Sequence, residues 1–338
     1  MSTFNPDDAA APGSGIFGLP FTRAQASIVL VPVPFDATTS YRPGTADGPS
    51  AILQASAQVD LLDRRFGPVY ERGIFMEEED RQVRKLSAQA GALARPLIEA
   101  GGGEADPESL ARVNAASEAL NDFVHDRVAR ILAEGKTPGV VGGEHAVPFG
   151  AIRAVAEKFG PIGVLHVDAH MDLRQAYEGF SFSHASIMHN VLTHLQRVTR
   201  LVQVGLRDCC RAEVDFAKAQ GDRVHAHYDD VWAQRLLDGE RFSDLAAHAI
   251  GALPDTVYVS FDVDGLDPSL CPHTGTPVPG GLSFNQAALL LDALRASGKR
   301  VVGFDLVEVA PGPVGEPEWD ANVGARVLYK LCALAGPG

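Results

Sequence analysis

The sequence predicts an α/β fold of three layers, with helices on both faces of a mostly parallel central sheet. Short runs of β-branched and aliphatic residues recur along the chain, and stretches of helix length with apolar residues at helical spacing separate them. Because strands that alternate with helices build parallel sheets buried on both faces, this order favours the layered architecture. The sequence contains no internal repeat.

Six strands and two long helices are predicted from these patterns. Residues 26–35 (ASIVLVPVPF) are a run of strand length that is too short and too rich in proline for a helix. The other predicted strands are residues 137–143, 162–168, 200–206, 255–264 and 300–309. The predicted helices are residues 109–135 and 283–297, and Ser283 and Gly298 suit the start and the stop of the second.

The domain organisation is predicted from composition. Residues 1–25 are rich in small residues, proline and glycine, which indicates a mobile N-terminal arm before a single domain over residues 26–338. Residues 76–110 combine a charged run with a glycine-rich segment, so they form either a linker between two domains or a surface excursion within one. We favour the excursion, because strands continue on both sides without a shift in composition.

The composition restricts the class of partner. The chain has 338 residues, 46% of them hydrophobic, and a formal net charge of −14 from 43 acidic and 29 basic residues. This charge argues against nucleic acid or an acidic membrane as partner and accommodates a small cation. Four cysteines without zinc-finger spacing indicate reduced thiols. Since the sequence shows neither an apolar stretch of membrane-spanning length nor a signal-peptide pattern, we expect a cytoplasmic protein.

Polar side chains lie at the ends of several predicted strands. They are Glu144 and His145, then Asp168, His170 and Asp172, then Asp262, Asp264 and Asp267, and finally Asp305 and Glu308. Ligands of open parallel sheets bind beyond the carboxyl ends of the strands, where clustered aspartates repel one another unless cations neutralise them. Histidine nitrogens and carboxylate oxygens without a thiolate suit Mn²⁺, Ni²⁺, Fe²⁺ or Co²⁺ better than a structural zinc or a calcium ion.

Each motif alone also has an ordinary structural interpretation. Residues 166–172 (HVDAHMD) could be a strand that leads into a helix with acidic residues in its first turn, and residues 262–268 (DVDGLDP) could be an Asx turn. Residues 142–145 (GGEH) could reflect tight packing only. Three successive strand ends that all supply potential ligands are hard to explain by packing, so we favour two metal ions that share a water.

Together these motifs resemble the signatures of the ureohydrolase superfamily, which comprises arginases and agmatinases. GGEH (142–145), DAHMD (168–172) and SFDVDGLDP (260–268) are similar to the family's GGDH, DAHxD and SFDxDxxDP, and the likeness extends from residues 33–52 to residues 303–311. The resemblance implies an arginase-like fold and a hydrolase that cleaves a C–N bond of a guanidino compound to give urea and ammonia or an amine. It also implies a homotrimer or homohexamer.

The resemblance further implies two divalent ions per subunit, Mn²⁺ or Ni²⁺, held by two sets of ligands that share bridging carboxylates. The sets are His145, Asp168, Asp172 and Asp262 for one ion, and His170, Asp168, Asp262 and Asp264 for the other, with Asp168 and Asp262 as the bridges. By the same likeness, His184 would shuttle a proton to the leaving amine, and Glu308 would pair with the substrate guanidinium. The ordinary alternatives are a histidine near a helix start and an acid at a strand end.

The substrate is predicted from residues 173–190. They lack the Asn and Ser pattern with which arginases hold arginine, whereas the rings of Tyr177, Phe180 and Phe182 would surround a compact cation or, alternatively, form a strip of core. The run AYEGF…SHASIM is similar to the branch that includes nickel-dependent guanidine hydrolases. We therefore expect guanidine or a small substituted guanidine as substrate.

Other functions stay open at this point. They are agmatinase or guanidinobutyrase activity on a linear guanidino substrate, a non-catalytic metal-stabilised subunit of a hetero-oligomer and, less favoured, a deacetylase of related fold with a single zinc ion. Glu144, Met171 and Ala185 depart from the family pattern without removing a ligand.

Overall fold

Eight parallel strands form one central sheet in the computed structural model, which describes residues 4–11, 13–102, 106–313, 315 and 318–335. The strands are Ile28–Val33 (β1), Ile74–Met76 (β2), Thr137–Gly142 (β3), Ile162–Val167 (β4), Val198–Leu206 (β5), Val224–Tyr228 (β6), Thr256–Asp262 (β7) and Arg300–Val307 (β8). Their order across the sheet is β2-β1-β3-β8-β7-β4-β5-β6, and each neighbouring pair is parallel. The predicted parallel sheet is confirmed.

The six predicted strands are all present, and the sequence reading missed only β2 and β6 among the described strands. Both are the outermost strands of the sheet. β2 has only three residues, and β6 (VHAHY) carries two histidines and is half-buried along its length. Edge strands are paired on one side only, so they need neither the length nor the continuous apolar pattern by which central strands are recognised.

Ten α-helices lie in the described part of the chain, and the two that were predicted are present within one or two residues of their expected ends. The helices are Gly48–Ala55 (α1), Arg81–Glu99 (α2), Pro107–Ala133 (α3), Phe149–Phe159 (α4), Ile187–His194 (α5), Arg211–Ala219 (α6), Asp229–Leu237 (α7), Phe242–Gly251 (α8), Phe284–Ala296 (α9) and Asp320–Leu334 (α10). Ser283 caps α9 as predicted, because its hydroxyl accepts the Gln286 amide hydrogen while the Gln286 side chain accepts the Ser283 amide hydrogen.

Helices cover both faces of the sheet and complete the three layers. Along β1, Leu30 belongs to the core on one face, whereas Val29 and Val31 belong to the core on the other. The first core includes side chains from α1, α8, α9 and α10, and the second includes side chains from α2 to α6. Strand side chains that alternate between two apolar cores give the layered α/β fold that the sequence predicted.

Part of the predicted mobile arm is packed against the rest of the chain. Ile16, Phe17 and Leu19 are buried, and the Phe17 amide donates a hydrogen bond to Ser56 Oγ at 2.9 Å, so residues 16–19 are part of the packed structure and not of a mobile arm. Residues 1–3 and 12 of that predicted arm lie outside the described residues. The single domain over residues 26–338 stays a prediction.

Most of the predicted surface excursion is helical. The helix α2 and the start of α3 occupy much of residues 76–110, and α2 buries side chains from Val83 to Leu97. An amphipathic helix of this length packs against the fold with its apolar stripe, which a reading of the charged residues alone does not reveal. Residues 103–105 lie outside the described residues. Among the helices that the structure describes, none is both long enough and apolar enough to cross a membrane.

Candidate metal centre and cleft

The carboxyl ends of β3, β8, β7 and β4 lie side by side and bring the predicted ligands to one edge of the sheet. His145 follows β3, Asp262 ends β7, and Asp168 follows β4. All three side chains are at most 2% exposed. The sequence prediction that these strand ends converge therefore agrees with the geometry.

The first ligand set surrounds the ring of His145. Three carboxylate oxygens lie near its Nδ1 atom: Asp168 Oδ2 at 2.9 Å, Asp262 Oδ2 at 3.1 Å and Asp172 Oδ2 at 3.2 Å. This nitrogen is buried and has no hydrogen-bond partner among the described residues, although three acceptors surround it. One nitrogen and three oxygens that converge without a hydrogen bond form a donor set that suits a divalent transition-metal ion.

The second ligand set surrounds His170. Its Nδ1 atom lies 3.0 Å from Asp264 Oδ2 and 3.4 Å from Asp168 Oδ1. Asp168 therefore places one carboxylate oxygen in each set, which is the geometry expected of a bridge. Asp262 differs, because its Oδ2 belongs to the first set while its Oδ1 accepts the Asp264 amide hydrogen at 2.8 Å. Its predicted bridging role stays a prediction.

The electrostatics of these carboxylates call for a counter-charge. Burial, reinforced by the neighbouring Asp168 carboxylate, raises the pKa of Asp172 well above its usual value. Burial and the neighbouring Asp264 carboxylate do the same to the pKa of Asp262. Close like charges in a site shielded from water do not all ionise unless cations compensate them. Two divalent cations in these sets would provide that compensation.

The second nitrogen of His145 is held by Ser260, which the sequence reading did not select, and through it by Asp305. His145 Nε2 lies 2.9 Å from Ser260 Oγ, and the Ser260 hydroxyl lies 3.0 Å from Asp305 Oδ1. If the hydroxyl donates to the Asp305 carboxylate, it accepts the Nε2 hydrogen, which leaves Nδ1 bare as a ligand. A polar residue inside a buried strand, such as Ser260 in β7, was the signal that could have identified this support.

The GGEH segment is explained by packing as well as by ligation. A Cβ atom on Gly143 would lie 2.1 Å from the Phe35 carbonyl oxygen, so only glycine fits at that position. Glu144 is fully buried and accepts hydrogen bonds from the Thr38 amide and hydroxyl and from the Thr39 hydroxyl. Burial and the nearby Glu308 raise the pKa of Glu144 well above its usual value. Glu144 thus anchors the loop that precedes Ser40 in the wall of the cleft.

Glu308 is held in a constrained backbone conformation next to the first set. Its φ is +64°, a value that is costly for a residue other than glycine. Its Oε1 accepts the His145 amide hydrogen at 2.8 Å, and its carbonyl oxygen accepts from the Thr274 hydroxyl at 2.8 Å. Burial raises the pKa of Glu308 to about 8. In the described structure Glu308 is 5% exposed and lies behind the residues that line the cleft.

A cleft of about 620 Å³ opens over the ligand sets. Its wall includes His170, Asp172, His184 and Tyr177. His184 Nε2 lies 3.3 Å from Ser40 Oγ, and the Tyr177 ring meets the His184 ring edge-on with centroids 5.9 Å apart. Burial lowers the pKa of His184 to about 4, so the ring is neutral at pH 7. The structure places both residues where a substrate above the ligand sets would meet them.

The predicted role of Phe180 in substrate binding is wrong. Phe180 is fully buried in a small apolar cluster with Ala94, Leu97 and Val113, which belong to α2 and α3 and lie away from the cleft. Tyr177 and Phe180 flank a two-residue turn closed by hydrogen bonds in both directions, yet Tyr177 lines the cleft and Phe180 packs in the apolar cluster. Sequence proximity therefore did not imply a shared site.

The outer wall of the cleft contains charged residues that the sequence reading did not select. They are Arg42, Arg174, Glu178, Asp208 and Glu213. Glu178 has a φ of +54°, and its Oε2 atom is buried without a hydrogen-bond partner among the residues that the structure describes. Burial raises the pKa of Glu178. Residues held in unfavourable backbone conformations cluster at functional sites, and Asp172, Glu178 and Glu308 all have positive φ.

The sequence of the chain is similar to that of a known protein family and of characterised relatives. The model of the arginase family matches residues 26–333. The chain is 33% identical over 314 residues to the N(1)-aminopropylagmatine ureohydrolase of Thermus thermophilus, and this match covers 92% of this chain and 91% of that protein. It is 32% identical over 298 residues to the guanidinobutyrase of Pseudomonas aeruginosa, and this match covers 84% of this chain and 90% of that protein.

The fold is also similar to that of solved structures. The proclavaminate amidino hydrolase of Streptomyces clavuligerus superimposes with a TM-score of 0.72 at 24% sequence identity, and the match covers 97% of this chain and 98% of that chain. This likeness shows the fold, and it agrees with the layered α/β architecture described above.

Proposed function

Because this chain belongs to the arginase family of C–N hydrolases, we propose that it is a two-metal amidinohydrolase that converts a guanidino compound and water to urea and ammonia or an amine. One observation carries this proposal. Two ligand sets share the carboxylate of Asp168 at the base of a cleft, and each set has one histidine nitrogen with buried carboxylate oxygens around it.

The predicted ligands would hold two divalent ions. The first set would be His145, Asp168, Asp172 and Asp262, and the second His170, Asp168 and Asp264, with Asp262 as the further bridge that the family likeness implies. Mn²⁺ and Ni²⁺ both accept such nitrogen and oxygen donors. When bound, the pair would activate a water molecule for attack on the guanidinium carbon.

His184 would transfer the proton to the leaving amine. Burial lowers the pKa of His184 to about 4, so its ring is neutral at pH 7. A neutral ring can take up the proton that the attacking water releases and pass it to the leaving amine. Ser40 Oγ, 3.3 Å from Nε2, would orient the ring. The wall position of His184 places it next to the space above His170 and Asp172.

Glu308 would pair with the substrate guanidinium. One of its carboxylate oxygens is fixed by the His145 amide, so its orientation is set before substrate arrives. A carboxylate accepts two parallel N–H bonds from a guanidinium group. Since burial raises the pKa of Glu308 to about 8, arrival of a cation would favour the ionised form.

We place a linear guanidino substrate first. The cleft of about 620 Å³ is far larger than guanidine, and Glu178, with an unpartnered buried oxygen in the described structure, offers a contact to a cationic end of a longer molecule. The expectation of a compact substrate depended on the likeness of AYEGF…SHASIM to guanidine hydrolases and on three rings, of which only Tyr177 lines the cleft. Phe180 and Phe182 pack elsewhere, Phe182 against Phe149 at 5.2 Å between ring centroids.

A compact guanidine substrate is the second candidate. Tyr177 supports it, because its ring lies edge-on to His184 and is covered by the Arg174 guanidinium at 4.7 Å from its centroid. These groups would narrow the space above the ligand sets. A carboxylate-terminated substrate such as guanidinobutyrate would instead meet Arg42 and Arg174 in the outer wall.

The test is urea release from a panel of substrates by the chain expressed alone. Metal-free protein is loaded with Mn²⁺ or Ni²⁺, and urea is measured with agmatine, N(1)-aminopropylagmatine, guanidinobutyrate, guanidine and methylguanidine. We expect the highest kcat/KM with a linear compound that carries a terminal amine. A preference for guanidine would establish the second candidate, and the absence of urea with all five compounds and both metals would contradict the proposed function.

A further inference from the structure

A row of buried polar side chains crosses the sheet beneath the candidate metal centre. Gln203 on β5 is paired in register with His166 on β4, His166 with Ser260 on β7, and Ser260 with Asp305 on β8. All four side chains are 0% exposed. Central strands of a parallel sheet are normally apolar on both faces, so four polar residues at one level need a role that compensates their burial.

The hydrogen bonds of this row fix the protonation of His166. Its Nε2 lies 2.9 Å from Asp168 Oδ2, and an ionised carboxylate only accepts, so Nε2 must carry the hydrogen. Its Nδ1 lies 2.9 Å from the Gln203 side-chain amide, whose nitrogen also lies 2.8 Å from the Met171 carbonyl oxygen. Because that carbonyl only accepts, the Gln203 amide group must present its NH₂ to both partners. His166 Nδ1 is therefore an acceptor.

These assignments separate His166 from the metal ligands. His166 lies close enough to His145, Asp168 and Asp172 that four potential ligand atoms fall within one small cluster. Both of its ring nitrogens, however, are engaged by protein groups, whereas Nδ1 of His145 has no such partner in the described structure.

We propose that His166, oriented by Gln203, is a positioning residue that holds the shared carboxylate of Asp168 in its bridging orientation. The carboxylate receives one protein hydrogen bond on each oxygen: Nε2–H of His166 donates to Oδ2, and the His170 amide donates to Oδ1 at 2.5 Å. With both oxygens fixed, Oδ2 faces the first set and Oδ1 the second. This inference rests on the proposed two-metal function and adds the residues that orient the shared Asp168 carboxylate.

The experiment compares metal affinity in three folded variants of the full chain. Bound and free Mn²⁺ are measured by electron paramagnetic resonance while metal-free protein is titrated with MnCl₂. We expect His166→Phe, which keeps a ring but loses the donor, to weaken the binding of both ions by about 10- to 100-fold, because the two sets share Asp168. His166→Gln places an N–H near the position of Nε2 and should recover most of that affinity. His227→Phe removes a half-buried histidine on β6, away from the ligand sets, and should bind Mn²⁺ like the wild type.

Two results would overturn the inference. One is unchanged Mn²⁺ affinity in His166→Phe, and the other is the complete loss of one ion with the second ion bound normally, which would make His166 a ligand. Failure of the wild-type chain to bind Mn²⁺ would instead contradict the proposed function.

A second measurement observes the hydrogen position of His166 in the wild-type protein. In metal-free wild-type protein with ¹⁵N-labelled histidine, nuclear magnetic resonance should show a neutral His166 with its hydrogen on Nε2. The Gln203→Leu variant identifies the His166 signals, because loss of the Gln203 amide shifts the ¹⁵N resonance of His166 Nδ1. Observation of the Nδ1–H form would contradict the proposed positioning role, because Nε2 would then have no hydrogen to donate to Asp168.

Discussion

The inner and outer walls of the cleft are built in different ways. The inner wall consists of the ends of β3, β8, β7 and β4, and the ligand side chains there are mostly buried and closely surrounded. The outer wall consists mostly of loops, apart from Glu213 at the start of α6, and in the described structure its two arginines form no close ion pair with the acidic groups of the wall. Arg174 approaches Glu213 only to 3.8 Å, and Arg42 donates a hydrogen bond to the Pro272 carbonyl oxygen.

This difference indicates which properties of the site depend on the sheet and which depend on the loops. A position at the end of a strand is fixed by the sheet, so the ligand side chains there are held where ligands of open parallel sheets bind. Loops change shape and charge without disturbing the sheet, so they set the preference for one guanidino compound over another. The inner wall therefore supports the reaction class, and the outer wall must be tested for the substrate.

The largest effect is expected in the inner wall. Asp262→Asn removes a charge from the first ligand set, and we expect kcat/KM to fall by about 10³-fold or more, with loss of bound metal. Asp267→Asn is the matched control from the same SFDVDGLDP segment, because Asp267 only accepts hydrogen bonds from Ser269. Urea release and metal content are measured for both. Equal activity of the two variants would contradict the ligand assignment.

A smaller loss is expected when the charge of Glu308 is removed. Glu308→Gln keeps an oxygen that accepts the His145 amide hydrogen but loses the ion pair with the substrate, so kcat/KM should fall by about 10²-fold while metal content is unchanged. Steady-state kinetics with metal analysis checks this. Wild-type kcat/KM in this variant would show that another group binds the guanidinium.

The same variant should change the pH dependence of stability in the metal-free protein. Burial raises the pKa of Glu308 from 4.5 to about 8, so the folded chain keeps a proton that the unfolded chain releases across this range. The free energy of unfolding of the wild type therefore falls as pH rises from 4.5 towards 8. Glu308→Gln lacks this titrating group, so its free energy of unfolding should not show that fall. Chemical denaturation should show a stability gain of the variant that grows between pH 5 and pH 8. A gain that is the same at both pH values would contradict the shift.

A substitution in the outer wall should change KM for one substrate and not for another. Glu178→Gln is expected to raise KM for agmatine by about tenfold, since a hydrogen bond to a charged group contributes about 1.5 kcal/mol. KM for free guanidine should not change, because this compound does not reach Glu178. A parallel change with both substrates would indicate that Glu178 shapes the cleft and does not contact the distal amine.

The smallest effect on activity is expected at Phe180. Phe180→Ala should lower the free energy of unfolding by about 3 kcal/mol, because it empties a buried position between α2 and α3. The kcat/KM of the folded variant should stay within twofold of the wild type. A selective rise in KM without a change in stability would restore Phe180 to the substrate site.

The parts of the fold that sequence predicted are those in which one pattern decides the structure. Central strands such as β4 and β7 are long apolar runs, and the aspartates that follow them stand out at once. The edge strands β2 and β6 lack this pattern. The burial of Ile16 and Phe17 depends on partners distant in sequence, such as Ser56 and Tyr329, which no local pattern reveals.

The supports of the site were missed for a related reason. His166 and Gln203 stand inside apolar runs and attract attention only when the register pairs them across β4 and β5. Likewise, Tyr177 lines the cleft while Phe180 packs against α2 and α3, a difference that two nearby aromatic residues do not show in the sequence. Sequence predicted which atoms could bind metal, and the three-dimensional register was needed to see what orients them.

The count of bound metal ions tests the central claim most directly. The account predicts two Mn²⁺ ions per chain in the wild type by elemental analysis of protein loaded and then freed of excess metal. It also predicts exchange coupling between them in the electron paramagnetic resonance spectrum, because both sets contain Asp168. A single uncoupled ion, or no retained ion, would contradict the two-metal centre.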